Sequence, residues 1–207
     1  MLFVGIEIMS IPLYILAGSK KKSLASNEAA MKYFLMGSFA TGLLLMGITL
    51  IYGETGSFHL ESIANAVSSY NDLVQSPLLI GGLLLILAAL AFKVSAAPFH
   101  FWTPDVYQGA PTWVTSFMST AVKLAGFGAF FRLFSYAFLP LGETWIGIVS
   151  VMAAVTISIG SISAVFQTSL KRILAYSSVA HAGYMLVVFL IDNENAGNGL
   201  LFYGFAY

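Results

Sequence analysis

The chain has 207 residues, of which 58% are hydrophobic and 9% charged, and its formal net charge is zero. So apolar a composition excludes a water-soluble globular domain, whose surface must be wetted. The balanced charge, with basic residues in short clusters, excludes nucleic acid as a partner. Because the sequence holds no cysteine, disulfides, thiolate metal sites and Cys-ligated iron–sulfur clusters are excluded within this chain. The remaining class is a protein whose main solvent is lipid.

Apolar segments of about 20 residues, the length that crosses a bilayer core of about 30 Å, follow one another along the chain. This pattern predicts a single all-α transmembrane domain over 1–207, a polytopic membrane helix bundle with discontinuous helices. The predicted crossings are 1–18, 30–52, 77–104, 113–139, 144–166 and 171–191, with a further helix starting at 196–207. Residues at about 59–73 carry apolar side chains at helical spacing among polar ones, which predicts a short interfacial helix.

The basic residues of the short loops predict the orientation of the chain. Three lysines at 20–22 follow the first crossing, and Lys171 and Arg172 precede or begin the sixth. With alternating crossings both loops lie on one side, and the opposite loops carry acidic residues without lysine or arginine. Such basic residues resist translocation, so their side is predicted to be cytoplasmic and Met1 to lie outside.

Two predicted crossings are too long for a straight helix. A helix over all of 77–104 would measure about 42 Å, against a bilayer core of about 30 Å. Pro98 is expected to break this third crossing, and Gly126 and Gly128 to loosen the fourth. Broken helices at membrane depth lie inside protein or line wet cavities, and they commonly mark ion sites.

Four ionisable side chains fall inside predicted crossings: Glu7, Lys93, Lys123 and Arg132. Each costs about 2.5–3.5 kcal/mol at a helix centre, although Arg132 is close enough to the outer end to snorkel. Burial disfavours the charged form of a lysine or glutamate, so such groups can exchange protons. A Glu7–Lys93 pair at about 4 Å would gain about 4 kcal/mol, and its separation could release a proton. The alternative for these two residues is a static ion pair that holds two helices in register, and the alternative for Lys123 is snorkelling or a contact with a backbone carbonyl group.

The histidines and tryptophans predict further contacts. His100 follows Lys93 by two helical turns and would share its face of the helix if the helix continued past Pro98. Two roles for His100 are equal alternatives: a proton relay, or a hydrogen bond to a helix end. His181 lies among serine and tyrosine hydroxyl groups, which favours a relay over an interhelical hydrogen bond. The three tryptophans fall near crossing ends, which suits anchoring at the membrane interface. They are Trp102, Trp113 and Trp145.

Four motifs resemble one known family. The stretch KVSAAPFHFWTPDVYQGAP at 93–111 is similar to the broken-helix signature of the antiporter-like subunits of NADH:quinone oxidoreductase (respiratory complex I) and of Mrp-type antiporters. Three more, GIEIMSIPLYILAG at 5–18, FMSTAVKLAGFGAFFRLF at 117–134 and LKRILAYSSVAHAGYML at 170–186, resemble the subunit N (mitochondrial subunit 2) branch. The likeness covers essentially the whole chain.

The resemblance implies a fragment of a longer fold, from about its fifth to the start of its eleventh crossing. The family pairs a glutamate with the lysine of the first broken helix, which implies that Glu7 pairs with Lys93. The residues implied for proton translocation are Glu7, Lys93, Lys123, His100 and His181. The second broken helix, with its own lysine, is expected beyond Tyr207, so this chain is expected to lack the outlet.

The function implied is that of a proton-translocating subunit of an enzyme complex, coupling NADH oxidation and quinone reduction to proton transport. No cofactor or metal is expected in this chain, and NADH, flavin, iron–sulfur clusters and quinone are expected in partner subunits. The expected partners are other membrane subunits of complex I and the lipid bilayer of a bacterial inner (plasma) membrane. The alternatives are a subunit of an Mrp-type sodium/proton antiporter and a structural membrane module.

Overall fold

The computed structural model describes residues 1–69, 76–190 and 193–207, of which 69 and 193–195 are described by their backbone only. All regular structure in these ranges is helical. Five helical segments of the described chain are long and apolar enough to cross a membrane, which confirms the polytopic all-α bundle. They are Leu24–Thr55, Pro77–Val94, Thr112–Ala137, Leu139–Val165 and Leu170–Leu190.

Three helices open the bundle: α1 (Leu2–Ala17), α2 (Leu24–Thr55) and α3 (Leu60–Ser69). Helix α1 is apolar but has only 16 residues, whereas α2 has 32 and is longer than a crossing requires. In α3, where an interfacial helix is predicted over 59–73, Ile63 and Val67 are buried against the main apolar core. Residues 70–73 of that prediction lie outside the described chain, and the position of α3 at a membrane interface stays a prediction.

The third predicted crossing is broken into α4 (Pro77–Val94) and α5 (Thr103–Gly109). Helix α4 ends because Ser95 adopts a left-handed conformation with φ 64°. The next backbone N–H then donates to the Ala91 carbonyl oxygen over 2.8 Å, which closes the helix end as in a Schellman motif. The predicted break is therefore present, but the helix already ends before Pro98.

The fourth predicted crossing combines α-helical and π-helical turns. It consists of α6 (Thr112–Phe117), a π turn (Met118–Val122), α7 (Lys123–Arg132) and a second π turn (Leu133–Ala137). The expectation that Gly126 and Gly128 loosen this crossing is wrong, because both lie inside the regular helix α7. The irregular turns flank α7 instead, and π turns often occur at functional sites. Lys123 directly follows the first one.

Three helices complete the described chain: α8 (Gly142–Val165), α9 (Leu170–Val187) and α10 (Asn193–Ala206). Helices α8 and α9 approach closely, since a Cβ atom on Gly160 would lie 2.5 Å from the Ala180 backbone nitrogen. Small residues permit such an approach between membrane helices, where tight packing replaces hydrophobic burial as the source of stability.

Two of the three tryptophans lie inside the protein. Trp113 is 60% exposed, but Trp102 and Trp145 are 3% and 2% exposed. Their indole N–H groups donate to backbone carbonyl oxygens, of Phe92 over 3.1 Å and of Phe138 over 2.9 Å. The prediction of interfacial anchoring is therefore wrong for Trp102 and Trp145, because the bundle packs other helices against them.

Both basic loops lie at the same end of the bundle, as the alternating crossings predict. The Lys171 Nζ atom donates to the Ala110 carbonyl oxygen over 3.0 Å. Gly109, the last residue of α5, packs against Ala25 in the first turn of α2, beside the lysines at 20–22. Which side of the membrane this end faces stays a prediction.

Asp105 ties α5 to its neighbours at that end. Its Oδ2 accepts a hydrogen bond from Lys32 Nζ on α2 over 2.9 Å, and its Oδ1 accepts one from Arg172 Nη1 on α9 over 2.8 Å. Burial raises the pKa of Asp105, but the hydrogen bonds and charges of Lys32 and Arg172 outweigh it and hold that pKa below its ordinary value. The two ion pairs thus fix the second half of the broken helix to both flanking helices.

We expect Asp105→Asn to lower the free energy of unfolding by about 1 kcal/mol at neutral pH, since partly exposed ion pairs are weak. The folded-state pKa of Asp105 lies below the unfolded value, so this contribution is complete above about pH 4 and disappears as the pH falls further. Thermal unfolding of the purified wild-type and variant proteins at several pH values measures this stability difference. Glu28→Gln, which removes only the exposed Glu28–Lys32 pair, is the control. A stability difference as large at about pH 2 as at pH 7 would contradict the assignment.

Candidate functional site

Lys93 lies in the last turn of α4, directly before the helix break, and is 8% exposed. Its Nζ atom donates to Ser10 Oγ over 2.8 Å and lies 3.4 Å from the Tyr14 hydroxyl oxygen, both on α1. The same amine is 5.9 Å from the centroid of the Tyr14 ring. The lysine is therefore held against α1 by neutral hydroxyl groups.

Glu7 belongs to the same polar cluster without touching Lys93. It shares a face of α1 with Ser10 and Tyr14, because residues three and seven positions apart project alike. Its Oε1 accepts a hydrogen bond from Thr41 Oγ1 on α2 over 2.8 Å. No ion pair in the described ranges joins Glu7 to Lys93, although the two groups interact electrostatically. The expected direct pair is thus replaced by two separate hydrogen bonds to hydroxyl groups, because Thr41 lies closer to the carboxylate.

Lys123 is the most completely buried lysine of the described chain, at 1% exposed. Its Nζ atom donates to the Ser178 carbonyl oxygen over 2.7 Å and to Ser178 Oγ over 2.6 Å, both on α9. The Tyr207 hydroxyl group donates to the same Oγ over 2.8 Å. Lys123 therefore also has neutral hydrogen-bond partners.

His181 joins the Lys123 cluster. It lies one turn after Ser178 on α9, and its Nδ1 is 2.6 Å from the Tyr203 hydroxyl oxygen on α10. Its ring centroid is 4.9 Å from that of Tyr207, and the imidazole interacts electrostatically with Lys123. The structure thus brings together two of the predicted site residues that the sequence separates widely.

His100 lies in the helix break and does not share a helical face with Lys93, since α4 ends at Val94. The expectation of a common face required a helix continuing past Pro98. Its Nδ1 is buried without a hydrogen bond of standard geometry in the described ranges, as are Ser95 Oγ and Thr103 Oγ1. These three buried polar atoms all belong to the break or its first flanking residue.

Sequence reasoning identified the charged groups of this site but missed most of the hydroxyl groups that hold them. The spacing of Ser10 and Tyr14 after Glu7 on one face of α1 was a usable signal. Thr41 and Tyr207 gave no comparable signal, because each meets its partner from a different helix.

The arrangement offers acid–base groups and hydroxyl relays. Lysine, glutamate and histidine side chains can hold or release a proton, and hydroxyl groups both donate and accept hydrogen bonds. Within the described chain, no group of three or more histidine, aspartate or glutamate side chains could hold a metal ion. Proton transfer is a chemistry that lysine, glutamate and histidine side chains can perform.

A protein-family model described as "NADH:quinone oxidoreductase/Mrp antiporter, TM" matches residues 1–207. The chain belongs to this family. A relative named NADH-quinone oxidoreductase subunit N, from Cytophaga hutchinsonii, is 53% identical over 207 residues, covering 98% of this chain and 43% of the relative.

Solved structures of family members have the same fold. A chain of respiratory complex I from Thermus thermophilus is 39% identical, with a TM-score of 0.79, covering 98% of this chain and 43% of that one. A chain of the Mrp complex from Dietzia sp. DQ12-45-1b is 27% identical, with a TM-score of 0.86, covering 98% and 37%. The family resemblance read from the motifs is confirmed.

This family member spans about two fifths of the length of the relatives it matches. Its family, its apolar helices and its bacterial relatives identify it as a multi-pass integral protein of the bacterial plasma membrane.

Proposed function

We propose that this chain is part of a proton-translocating membrane subunit of an NADH:quinone oxidoreductase. The 53% identical relative bears the name of such a subunit. NADH, flavin, iron–sulfur clusters and quinone are then held by partner subunits, while this chain contributes a proton path inside the membrane. The residues that we assign to this path are Glu7, Lys93, Lys123, His100 and His181.

One observation carries the proposal: Lys93 and Lys123 are buried, and their hydrogen-bond partners are neutral. A lysine at membrane depth costs about 2.5–3.5 kcal/mol, and neither lysine offsets this cost with an ion pair in the described chain. A hydroxyl group can accept a hydrogen bond from an ammonium and donate one to a neutral amine. Both lysines are thus placed where either protonation state has a partner.

Movement of α1 relative to α4 supplies the coupling step in this proposal. In the present arrangement the negative charge of Glu7 attracts the protonated Lys93 side chain electrostatically. The Lys93 ammonium group also donates hydrogen bonds to Ser10 and Tyr14. A movement of α1 that carries Glu7 away from Lys93, while Tyr14 stays in contact with it, removes the electrostatic influence and keeps a hydroxyl acceptor in place. The proton then leaves the Lys93 Nζ atom toward Lys123, so a mechanical event becomes proton movement.

Lys93→Ala tests this function in the native membrane. We expect proton uptake by inverted vesicles, per quinone reduced by NADH, to fall by about twofold or more, because the first proton-holding group is lost. Lys21→Ala, in the exposed loop after α1, is the control and should leave uptake unchanged. Unchanged uptake in an assembled Lys93→Ala complex would favour a structural membrane module instead.

An Mrp-type sodium/proton antiporter is the second candidate, because the Mrp complex chain has a TM-score of 0.86 with this structure. The two functions differ in their driving force. An antiporter moves protons in response to a sodium gradient without NADH or quinone. Proton movement that requires a sodium gradient, and persists without NADH, would favour the antiporter.

A further inference from the structure

In the described part of the chain, the two buried lysines share no hydrogen-bond partner. Lys93 contacts Ser10 and Tyr14 on α1, whereas Lys123 contacts Ser178 on α9. A proton that travels between them needs intermediate groups, because each transfer spans one hydrogen bond or one bridging water. The space between the two clusters is therefore the undefined part of the path.

Four tyrosines connect the two clusters in order: Tyr14, Tyr33, Tyr107 and Tyr207. The rings of Tyr14 and Tyr33 meet edge to face, with centroids 4.7 Å apart. Tyr107 interacts electrostatically with Tyr33 on one side and with Tyr207 on the other. Its hydroxyl group also interacts with the Ser178 side chain, the hydrogen-bond partner of Lys123. Each consecutive pair in this row is thus in contact or close enough to interact.

Trp102 holds the two central tyrosines in place. It stacks on Tyr33 with ring centroids 4.8 Å apart and meets the edge of Tyr107 at 5.9 Å. Its indole N–H is bonded to the Phe92 carbonyl oxygen at the end of α4, so its ring cannot turn freely. Because Trp102 directly precedes α5, the helix break itself sets the position of both phenol rings.

The two central tyrosines carry hydroxyl groups that the packing of their rings does not require. Tyr33 and Tyr107 are 3% and 2% exposed, and phenylalanine would fill nearly the same volume. Aromatic packing alone therefore accounts for the rings but not for their oxygen atoms.

We propose that Tyr33 and Tyr107 are the relay between the two lysines, passing protons from the Lys93 cluster to the Lys123 cluster through their hydroxyl groups. Each phenol oxygen accepts an incoming proton on a lone pair while its own hydroxyl proton leaves to the next acceptor, directly or through one water. The hydroxyl group then turns back, so each tyrosine ends unchanged and no electron is transferred. This inference rests on the proposed function, since it specifies the route between two of its residues.

Tyr33→Phe and Tyr107→Phe test the relay because each retains the ring and removes only the oxygen atom. In the assembled complex of the native membrane, we expect each to lower proton uptake per quinone reduced by about threefold, since water can partly replace a missing hydroxyl group. The solvent deuterium isotope effect on uptake should rise in both. Because the two groups act in series, the double variant should resemble the more impaired single variant.

The matched control is Tyr52→Phe, in the same helix as Tyr33 but exposed and stacked on Phe58, which should leave uptake and isotope effect unchanged. Quinone reduction with a protonophore present measures how much complex is assembled and corrects for loss of folding. Normal coupled uptake and isotope effect in both phenylalanine variants, with Lys93→Ala impaired, would overturn the relay and leave the proposed function intact. Normal uptake in Lys93→Ala would overturn the proposed function itself.

Discussion

Lys123→Met is expected to lower proton uptake per quinone reduced by about tenfold or more while the complex still assembles. Methionine has a similar length and suits an apolar site, so the helix should keep its packing. The effect should exceed that of Lys93→Ala. Around Lys93 several other polar side chains remain, whereas Lys123 is 1% exposed and its hydrogen-bond partners among the described residues both belong to Ser178. Fluorescence quenching in inverted vesicles, normalised to uncoupled quinone reduction, measures it.

Two further variants separate charge from proton exchange at this position. Lys123→Arg keeps a positive charge that cannot be released near neutral pH, so it should be as inactive as Lys123→Met. Arg132→Met, at the other end of α7 where the guanidinium lies 4.8 Å over the exposed Tyr136 ring, should leave uptake unchanged. Normal uptake with arginine at 123 would show that this position needs only a fixed charge.

Gly160→Val is expected to have the largest effect on folding. A Cβ atom at this position would lie 2.5 Å from the backbone nitrogen and 2.8 Å from the Cα of Ala180, and backbone atoms of a packed helix cannot move aside independently. Helices α8 and α9 must therefore separate along the contact. Overpacking of this kind costs about 1–3 kcal/mol or more, so the amount of assembled protein in membranes and its thermal unfolding midpoint should both fall.

Gly147→Val provides the matched control, because Gly147 lies in the same helix and a Cβ atom there would meet no other element of the described chain within 4 Å. Both substitutions introduce the same β-branched residue into a helix interior, so their intrinsic helix propensities cancel in the comparison. Equal stability of the two variants would contradict the close packing of α8 against α9. A larger loss of stability in Gly147→Val than in Gly160→Val would also contradict that packing.

The crossings could be read from local patterns. Hydropathy and length place the predicted segments within a few residues of α1, α8 and α9, because an apolar run of sufficient length has few alternatives to a helix in lipid. The break in the third crossing was also predictable, since 77–104 is too long to be straight. The position of the break at Ser95 was not predictable, because no sequence pattern indicates that this serine adopts a left-handed conformation.

The burial of Lys93 and Lys123 was likewise predictable, but the hydrogen-bond partners of the charged residues were not. Glu7 was expected beside Lys93, and it instead accepts a hydrogen bond from Thr41. The importance of Asp105 was not predicted, because Lys32 and Arg172 reach it from two other helices. Opposite charges attract over many possible pairings, and only the packing of helices decides which pairing is made.

The sequence alone thus determines that this chain is a membrane protein of successive helices, some of which carry lysines. This is possible because bilayer thickness and the cost of burying charge act on each segment separately. The relay row from Tyr14 to Tyr207 and the π turn before Lys123 depend on the assembled bundle. They arise from contacts between helices far apart in the chain, whose side-chain shapes must fit simultaneously. Local sequence patterns therefore do not predict these contacts between helices.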